Sequence, residues 1–345
     1  MLFKILPNSI LQKILRLLHR YNLELKIKQT LSVENTATEG VRVYEDLLSF
    51  YKQLIISFKL PLEEFIGGSI KREEASLLYN LVIQEKPKNV LQVGTFLGFS
   101  TLIIAEALKH NGEGKIFAID PEIPHRKISN PVDIARKACT ERGLSDRIEF
   151  ISGWFSNVPY WSDKKISREV VGPSLIHQIN TLDFIFIDGD HSIMSAISDF
   201  ALVASSLRIN GICTIHDVCS HNSVKQAITA ILADKTIERM FDFSLLGSHD
   251  GLAVFRKVKE YVSVKICIKD KITQKPVPDF VLYSKDYGQK TVSDWKGEIY
   301  IPSILADKYY IDIMARGYKP LKNYCVSLDL HRQFQELTIE IEQGK

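Results

Sequence analysis

Short apolar runs and segments of helical periodicity alternate along the middle of the chain, between residues 88 and 257. This alternation predicts an α/β fold in which crossover helices join the strands of a parallel sheet. Five runs are predicted as strands buried on both faces: Asn89–Val93, Lys115–Ile119, Ile148–Ser152, Leu182–Ile187 and Gly211–His216. The predicted helices are Thr101–Lys109, Val132–Arg142, Met194–Leu207 and Val224–Ala233.

Two further apolar runs, Asp242–Leu246 and Leu252–Lys257, have no helical segment between them. The turn from Gly247 to Gly251 is too short for a crossover connection, so these two strands must be antiparallel to each other. The sequence therefore predicts five parallel strands followed by an antiparallel terminal hairpin.

The pattern changes near Lys259, where helical periodicity is lost. Runs of alternating apolar and polar residues, separated by turns, predict a small all-β sandwich over residues 260–342. The sheet domain is predicted to occupy residues 61–258, and residues 1–60 are predicted to form a helical N-terminal arm.

The first twenty residues, MLFKILPNSILQKILRLLHR, place six Ile and Leu side chains at helical spacing. One interpretation is a basic amphipathic helix in peripheral contact with a membrane surface. The other is a helix docked on the fold or on a second copy of the chain, and it is favoured because Pro7 would cap a helix of only about four turns. The chain has no apolar run of eighteen residues, so no membrane span is predicted.

Composition narrows the classes of function. The 345 residues are 45% hydrophobic and 25% charged, which is typical of a globular protein. A net charge of +3 gives no electrostatic footprint for nucleic acid. Five scattered cysteines without a C-x-x-C pair indicate reduced thiols in a cytoplasmic protein.

A glycine-rich turn, Val93 to Thr101, joins the first strand to a helix. Such a turn lets a ligand approach bare backbone, with the helix N-terminus facing an anionic group. The turn does not match the dinucleotide-binding motif G-x-G-x-x-G, because the second and third glycines of that motif would fall at Phe96 and Phe99. The turn does not match the phosphate-binding loop motif either, because no Lys-Ser or Lys-Thr follows Gly98. The turn therefore favours a nucleotide-like ligand whose anion is a carboxylate.

Two more strand ends fit such a ligand. Asp120 ends the second strand, where a carboxylate can accept hydrogen bonds from ribose hydroxyls. The third strand ends in Ser152, Gly153, Trp154 and Phe155, where an adenine could stack. Three such features at successive strand ends indicate a site much more strongly than any of them alone.

The fourth and fifth strands end in chemically reactive side chains. Asp188, Asp190 and His191 follow the fourth strand, and His216 and Asp217 end the fifth. Because neighbouring strands lie about 4.8 Å apart, these side chains can converge on one ion or substrate. Asp188 and Asp217 could share a hard divalent cation. A metal lowers the pKa of a hydroxyl, and His191 has suitable chemistry for the base.

These segments (VLQVGTFLGFST, IFAID, LDFIFIDGDHS and INGICTIHDV) resemble the class I S-adenosylmethionine (SAM)-dependent methyltransferases. The resemblance covers residues 60–257 and is greatest to the O-methyltransferases related to the catechol, macrolide-sugar and cephalosporin-cluster enzymes. It implies a Rossmann-like seven-stranded sheet with strand order 3-2-1-4-5-7-6.

The resemblance also implies roles for individual residues. Implied cofactor contacts are Gln92, Gly94, Thr95, Gly98, Ser100, Asp120, Gly153, Trp154, Phe155 and Asp188. Implied metal ligands are Asp188, His216 and Asp217; catalytic roles fall to Asp188 and to His191 as the base. Two departures stand out: Gln92 and His216 both replace residues that are usually acidic. Since imidazole suits manganese or zinc better than magnesium, the identity of the metal stays open.

The C-terminal segment resembles carboxypeptidase regulatory-like (transthyretin-like) sandwiches through Pro276–Pro278, Thr291–Gly297 and Ala315–Tyr318. Its expected role is stability or homo-oligomer formation, with glycan or partner binding as the alternative. The insertion Ser156–Asn180 is expected either to wall the substrate pocket or to be a solvated loop.

The leading hypothesis is O-methylation of a sugar or another small polar acceptor. The alternative is a non-catalytic or regulatory cofactor-binding protein whose C-terminal sandwich recognises a glycan or protein. An NAD-dependent oxidoreductase is disfavoured by the missing glycines.

Overall fold

The computed structural model of the chain describes residues 38–156, 169–259, 262–284, 289–294, 296–304, 308–328 and 334–344. The chain divides into two compact units, Met1–Lys257 and Val258–Lys345. The predicted amphipathic helix of the first twenty residues lies outside the described part of the chain.

The first unit is built on one seven-stranded sheet with helices between its strands. The strands are β1 (Asn89–Val93), β2 (Lys115–Asp120), β3 (Ile148–Ser152), β4 (Leu182–Ile187), β5 (Leu207–His216), β6 (Phe241–Leu246) and β7 (Leu252–Lys257). The helices are α1 (Thr38–Ser57), α2 (Leu62–Gly68), α3 (Arg72–Glu85), α4 (Phe99–Asn111), α5 (Pro131–Glu141), α6 (Gly172–Ile179), α7 (Ile193–Ala204), α8 (Asn222–Ala233) and α9 (Lys235–Met240).

The strand order is β3-β2-β1-β4-β5-β7-β6, which confirms the predicted fold class. β1 to β5 pair in parallel, whereas β7 pairs antiparallel with both β5 and β6. β5 begins four residues earlier than predicted, at Leu207, and its pairing with β4 is irregular between Leu182 and Phe184. The order places β1 and β4 side by side, with crossovers leaving in opposite directions. This is the switch point at which open α/β sheets bind ligands.

Helix α1 packs into the core of the sheet unit. Tyr51 of α1 stacks on Phe65 at 5.3 Å and meets Phe99 of α4 edge-on at 5.3 Å. Its buried hydroxyl donates to the carbonyl of Leu97 at 2.9 Å, directly beneath the glycine-rich turn. Burial raises the pKa of the Tyr51 phenol well above its usual value, so the hydroxyl stays a donor. Residues 38–57, expected as part of an arm, thus support the turn from below.

A buried carboxylate fastens the hairpin turn to α3. Glu74 is fully buried, and its Oε1 accepts from Ser248 Oγ and from the backbone N–H groups of Asp250 and Gly251, each at 3.1 Å. Burial alone would raise its pKa, but these hydrogen bonds outweigh burial and lower it. The interaction joins residues about 175 positions apart in sequence, so no local pattern predicts it.

Replacing Glu74 with alanine is expected to destabilise the first unit by about 2 kcal/mol, because two buried N–H groups lose their acceptor. Urea denaturation measures the loss, and Glu73→Ala on the exposed side of α3 is the matched control. Since the folded-state pKa of Glu74 is lowered, the stabilisation is present above the unfolded pKa and is lost as the pH falls through the folded pKa. Equal stability of the two variants would contradict this role.

The second unit contains two sheets: β8 (Val262–Asp270), β11 (Glu298–Ile304) and β14 (Phe334–Ile341), and β9 (Val281–Ser284), β10 (Gln289–Val292), β12 (Lys308–Met314) and β13 (Leu321–Ser327). Side chains of both sheets, such as Ile266 and Ile311, share one hydrophobic core. The predicted tight turn forms at Asp294, whose carbonyl accepts from Gly297 N–H at 3.0 Å. Among the described residues of the chain, none forms a helix long and apolar enough to cross a bilayer.

Candidate functional site

A cavity of about 470 Å³ opens at the carboxyl edge of the parallel strands. It is lined by residues that end or follow β1 to β5: Gly94, Thr95, Phe96, Asp120, Gly153, Trp154, Phe155, Asp188, Gly189, His191, His216 and Asp217. The cavity lies beside the switch point between β1 and β4, and its volume suits a ligand the size of a nucleoside derivative.

The glycine-rich turn requires glycine at two positions. Gly94 has a φ of +86°, and a Cβ there would lie 2.0 Å from the carbonyl oxygen of Asp188. Gly98 has a φ of +80°, and a Cβ there would lie 2.5 Å from Cβ of Ala135 on α5. Glycine therefore allows β1 to approach β4 and α4 to approach α5.

Asp120 holds this turn in place. Its Oδ2 accepts from the backbone N–H groups of Thr95 at 2.9 Å and Phe96 at 3.1 Å, and its Oδ1 accepts from Glu122 N–H at 2.7 Å. The expectation for Asp120 was contact with ribose hydroxyls. The structure gives the carboxylate a bracing role as well, because the turn directs its N–H groups at it. A carboxylate has about four acceptor positions, so one remains on Oδ1 for a ligand in the cavity.

Gln92, Gly98 and Ser100 are three of the residues predicted to contact the cofactor. None of the three lines the large cavity. Gln92 is fully buried, and its Nε2 donates to the carbonyl of Gly94 at 2.9 Å and to Ser100 Oγ at 3.0 Å. Its Oε1 is buried and meets no hydrogen-bond partner among the described residues. Within the described structure these residues brace the turn from behind.

The ends of β4 and β5 bring together two carboxylates and two imidazoles, here called the acid–imidazole cluster: Asp188, His191, His216 and Asp217. His191 Nε2 lies 2.8 Å from Asp217 Oδ2 and 4.0 Å from Asp188 Oδ1. His216 Nδ1 lies 3.3 Å from Asp188 Oδ1 and 3.6 Å from Asp217 Oδ1. The sequence predicted that these side chains converge, and the described structure brings them together.

Asp217 is the centre of the cluster. It is a non-glycine residue with a φ of +63°, a conformation that persists only where the surroundings impose it. Its Oδ1 accepts from Ser220 Oγ at 2.7 Å, and its carbonyl accepts from the N–H of His221 at 2.9 Å. These contacts fix the carboxylate between the imidazoles of His191 and His216.

The carboxylates favour the protonated form of both imidazoles. Burial lowers the pKa of His191, but hydrogen bonds and charges from Asp188 and Asp217 outweigh burial and raise the pKa to about 10. The same carboxylates raise the pKa of His216 well above its usual value despite burial. Burial would raise the pKa of Asp217, yet the two imidazoles hold it well below the usual range. Each carboxylate therefore favours the charged form of the imidazoles beside it, and each imidazole favours the charged form of Asp217.

Three members of the cluster fit a cation as well. The ligand atoms of Asp188, His216 and Asp217 all lie within 4.8 Å of one another. His216 turns Nδ1 to both carboxylates, while its Nε2 is buried without a partner among the described residues. Two carboxylates and one imidazole form a mixed oxygen–nitrogen donor set, which suits manganese or zinc better than magnesium.

Sequence reasoning missed Asp199 and His221. Asp199 of α7 is 4% exposed, lines the cavity, and accepts from Ser156 Oγ through Oδ1. His191, Ser195 and Asp199 are spaced four residues apart, and all three line the cavity. Helical periodicity from His191 could therefore have identified Asp199. His221 also lines the cavity, and its place four residues after Asp217 was the available signal.

Asp199 is expected to make stability depend on pH. Burial raises its pKa from 3.8 to about 7, although the Ser156 hydrogen bond lowers it. Between these values the folded chain binds more protons than the unfolded chain, so stability falls as the pH rises from about 4 to about 7. Asp199→Asn should remove a change on the order of 2 kcal/mol, measured by urea denaturation at pH 5 and pH 8. The same pH dependence in Asp199→Asn and the wild type would contradict this assignment.

The segment after β3 returns to the cavity wall. The backbone N–H of Trp154 donates to the carbonyl of Glu169 at 2.9 Å, and the backbone N–H of Val171 donates to the carbonyl of Trp154 at 2.8 Å. These bonds hold Trp154 and Phe155 at the cavity, where the sequence predicted them. Tyr160, Trp161, Lys164, Lys165 and Arg168, expected as a wall of the substrate pocket, lie outside the described residues.

Comparisons with known proteins match the first unit. Residues 91–218 match the family model described as a methyltransferase domain, and these residues include the glycine-rich turn, Asp120 and the acid–imidazole cluster. No curated protein matches the chain.

Solved structures with similar folds include three methyltransferases. An O-methyltransferase from Bacillus cereus in complex with SAH is 18% identical, with a TM-score of 0.44, covering 61% of this chain and 90% of that one. An SAH-bound methyltransferase from Podospora anserina is 16% identical, with a TM-score of 0.46, covering 74% and 99%. An O-methyltransferase from Streptomyces achromogenes, involved in tomaymycin synthesis and in complex with SAM, is 15% identical, with a TM-score of 0.43, covering 61% and 89%.

Proposed function

We propose that the first unit transfers a methyl group from SAM to a hydroxyl of a small polar acceptor, with a sugar as the leading class. The observation that carries this proposal is the single cavity that joins the glycine-rich turn and Asp120 to the acid–imidazole cluster. The match of residues 91–218 to a methyltransferase domain supports the same reaction class. A nucleoside site and an acid–base cluster at one sheet edge are what such a transfer requires.

In this proposal the turn and the strand ends hold the cofactor. Gly94 and Thr95 line the cavity, and the remaining acceptor position of Asp120 receives a ribose hydroxyl. Trp154 and Phe155 provide an apolar wall for the adenine, and Asp199 offers an acceptor for its amino group. Gln92, Gly98 and Ser100 act through the shape of the turn.

Bound SAM would supply the methyl carbon, which bonds to the acceptor oxygen as its bond to sulfur breaks. His191 takes the proton of the acceptor hydroxyl. Because Nε2 of His191 faces Asp217, the neutral imidazole keeps its proton on that nitrogen, and Nδ1 is the proton acceptor. Asp217 orients the ring and stabilises the imidazolium that forms.

Asp188, His216 and Asp217 are proposed to hold a divalent cation. Their donor set and their mutual distances fit one, as described above. When bound there, a cation would lower the pKa of the acceptor hydroxyl. Its positive charge would also offset the carboxylates that raise the pKa of His191.

A second candidate function is a regulatory protein that binds the cofactor without catalysis. It is favoured by the contacts of His191 Nε2 with Asp217 Oδ2 at 2.8 Å and Asp188 Oδ1 at 4.0 Å, which raise its pKa to about 10 and so favour the protonated form, which accepts no proton. Loss of turnover in His191→Ala with intact cofactor affinity would support catalysis. Unchanged function of that variant in the cell would support the regulatory protein.

Calorimetric titration of the full chain with SAM and with SAH tests the shared premise. We expect saturable binding at micromolar concentration, and absence of binding at millimolar concentration would overturn both candidates. Transfer of label from methyl-labelled SAM to a panel of sugars and phenols then tests the reaction. Transfer to phenols alone would exclude sugars as the acceptor class.

The cysteines of the chain are free thiols, which supports a reducing, cytoplasmic location.

For the second unit, the proposed role is stability or homo-oligomer formation, by its resemblance to carboxypeptidase regulatory-like sandwiches. Glycan recognition is the alternative for this unit, and binding of the full chain to a glycan array would favour it.

A further inference from the structure

A second group of ligand atoms meets at Asp217. The rings of His191 and His221 lie 4.0 Å apart between centroids, with an interplanar angle of 38°. Ligand atoms of His191, Asp217 and His221 all lie within 4.8 Å of one another. This group, here called the His–Asp–His set, shares Asp217 with the cation set of Asp188, His216 and Asp217.

The two sets differ in chemistry. The His–Asp–His set offers two imidazoles and one carboxylate, whereas the cation set offers one imidazole and two carboxylates. Imidazole-rich sites select zinc and similar transition metals, and three protein ligands with an open position are typical of accessible zinc sites. Magnesium, which demands oxygen ligands, fits the His–Asp–His set poorly.

The geometry allows an ion to be enclosed with small movements. In a tetrahedral site with zinc–ligand bonds of about 2.0–2.1 Å, ligand atoms lie about 3.3 Å apart. His191 Nε2 and Asp217 Oδ2 are already 2.8 Å apart. His221 is exposed and His191 is half-buried, so their rings can turn without repacking the core. The backbone bond from His221 N–H to the carbonyl of Asp217 keeps the third ligand close.

We propose that His191, Asp217 and His221 bind a zinc-type transition metal at the mouth of the cavity and that this ion inhibits methyl transfer. When Nε2 of His191 coordinates the metal through its lone pair, the remaining ring proton lies on Nδ1, so neither ring nitrogen can accept another proton. His191 is then unable to take the proton of the acceptor hydroxyl. The inhibition rests on the proposed function, but the metal site does not.

Calorimetric titration of the EDTA-treated full chain with zinc chloride tests the site without any measurement of activity. We expect the wild type to bind zinc and His221→Ala to bind it at least about tenfold more weakly. His177→Ala, which removes an exposed imidazole of α6, is the matched control and should bind like the wild type. Equal zinc affinity in His221→Ala and the wild type would overturn the proposal.

His216→Gln separates the two sets, since it removes a ligand from the cation set alone. It should keep zinc affinity within about threefold, and a loss as large as that of His221→Ala would place the ion in the cation set and overturn the proposal. Because His216 is buried, circular dichroism checks the fold of this variant. His191→Ala provides an independent arm, because it removes a ligand from the His–Asp–His set alone and should weaken zinc binding like His221→Ala.

Inhibition is measured as the ratio of methyl transfer with and without zinc, within each variant. The zinc concentration for half inhibition should rise at least about tenfold in His221→Ala and stay unchanged in His177→Ala. Zinc binding without inhibition would retain the site and overturn its inhibitory role. Zinc binding in a chain that does not bind SAM would leave the site standing while the proposed function fails.

Discussion

Replacing His191 with alanine is expected to lower kcat about 10²–10⁴-fold, the range by which a positioned general base accelerates proton transfer. Cofactor affinity should stay within about threefold, because the residues proposed to hold SAM lie at the ends of β1, β2 and β3 and on helix α7, not at His191. Initial rates with labelled SAM measure kcat, and calorimetry with SAH measures affinity. His177→Ala on α6 is the control for loss of an exposed imidazole.

The pH profile gives this prediction its sign. Only the neutral imidazole accepts a proton, and Asp188 and Asp217 raise the pKa of His191 to about 10. The rate of the wild type should therefore rise with pH from neutrality towards about 10, and His191→Ala should lose this dependence. A cation held by Asp188 and Asp217 would lower the apparent pKa, so profiles are recorded with and without EDTA. A variant with wild-type kcat, or one that keeps the pH dependence, would contradict the role of His191.

The fold was predictable because the strands of a parallel sheet are buried on both faces. Phe184–Ile187 is continuously apolar, and Gln92 is the one polar residue in Val90–Val93, so the five parallel strands stand out without any alignment. The terminal hairpin was predictable from the length of the connection alone, since five residues between two strands are too few for a crossover. Strand order then confirmed the expectation that the resemblance supplied.

The acid–imidazole cluster was predictable for a related reason. Carboxyl ends of parallel strands meet at one edge, so residues that follow β4 and β5 must be neighbours whatever their distance in sequence. What the pattern could not supply was orientation. The turn directs its N–H groups at Asp120, and Gln92 faces the back of the turn. Both details depend on backbone dihedral angles, which residue types alone do not encode.

Long-range polar contacts were beyond the reach of sequence patterns. Glu74 meets the 248–251 turn only because α3 and the hairpin are packed together in three dimensions. Asp199 and His221 are different, because each lies at a regular spacing from a residue already singled out. Tyr51 also lay within reach, since Leu47, Tyr51 and Ile55 recur every four residues along an apolar helix face.

Replacing Gly94 with alanine is expected to destabilise the first unit by about 3 kcal/mol or more. Two costs combine at this position: a φ of +86°, and a Cβ placed 2.0 Å from the carbonyl oxygen of Asp188. That oxygen belongs to the backbone, so no side-chain rotation relieves the clash. β1 and β4 would have to separate instead, and the hydrogen bond from Asp188 N–H to the carbonyl of Val93, at 2.8 Å, opposes that separation. Strain and overpacking each cost about 1–3 kcal/mol.

Gly112→Ala isolates the first of these costs. Gly112 has a φ of +80°, and a Cβ there would meet nothing within 4 Å. Gly112→Ala should be destabilised only by the cost of the left-handed conformation, about 1–2 kcal/mol. The difference in unfolding free energy between the two variants therefore measures the cost of the clash with Asp188. Urea denaturation gives both values, and calorimetry with SAH should show that only Gly94→Ala loses cofactor affinity. Equal destabilisation by the two substitutions would mean that β1 and β4 have room to move apart, and that close packing at the switch point does not hold Asp188 against the glycine-rich turn.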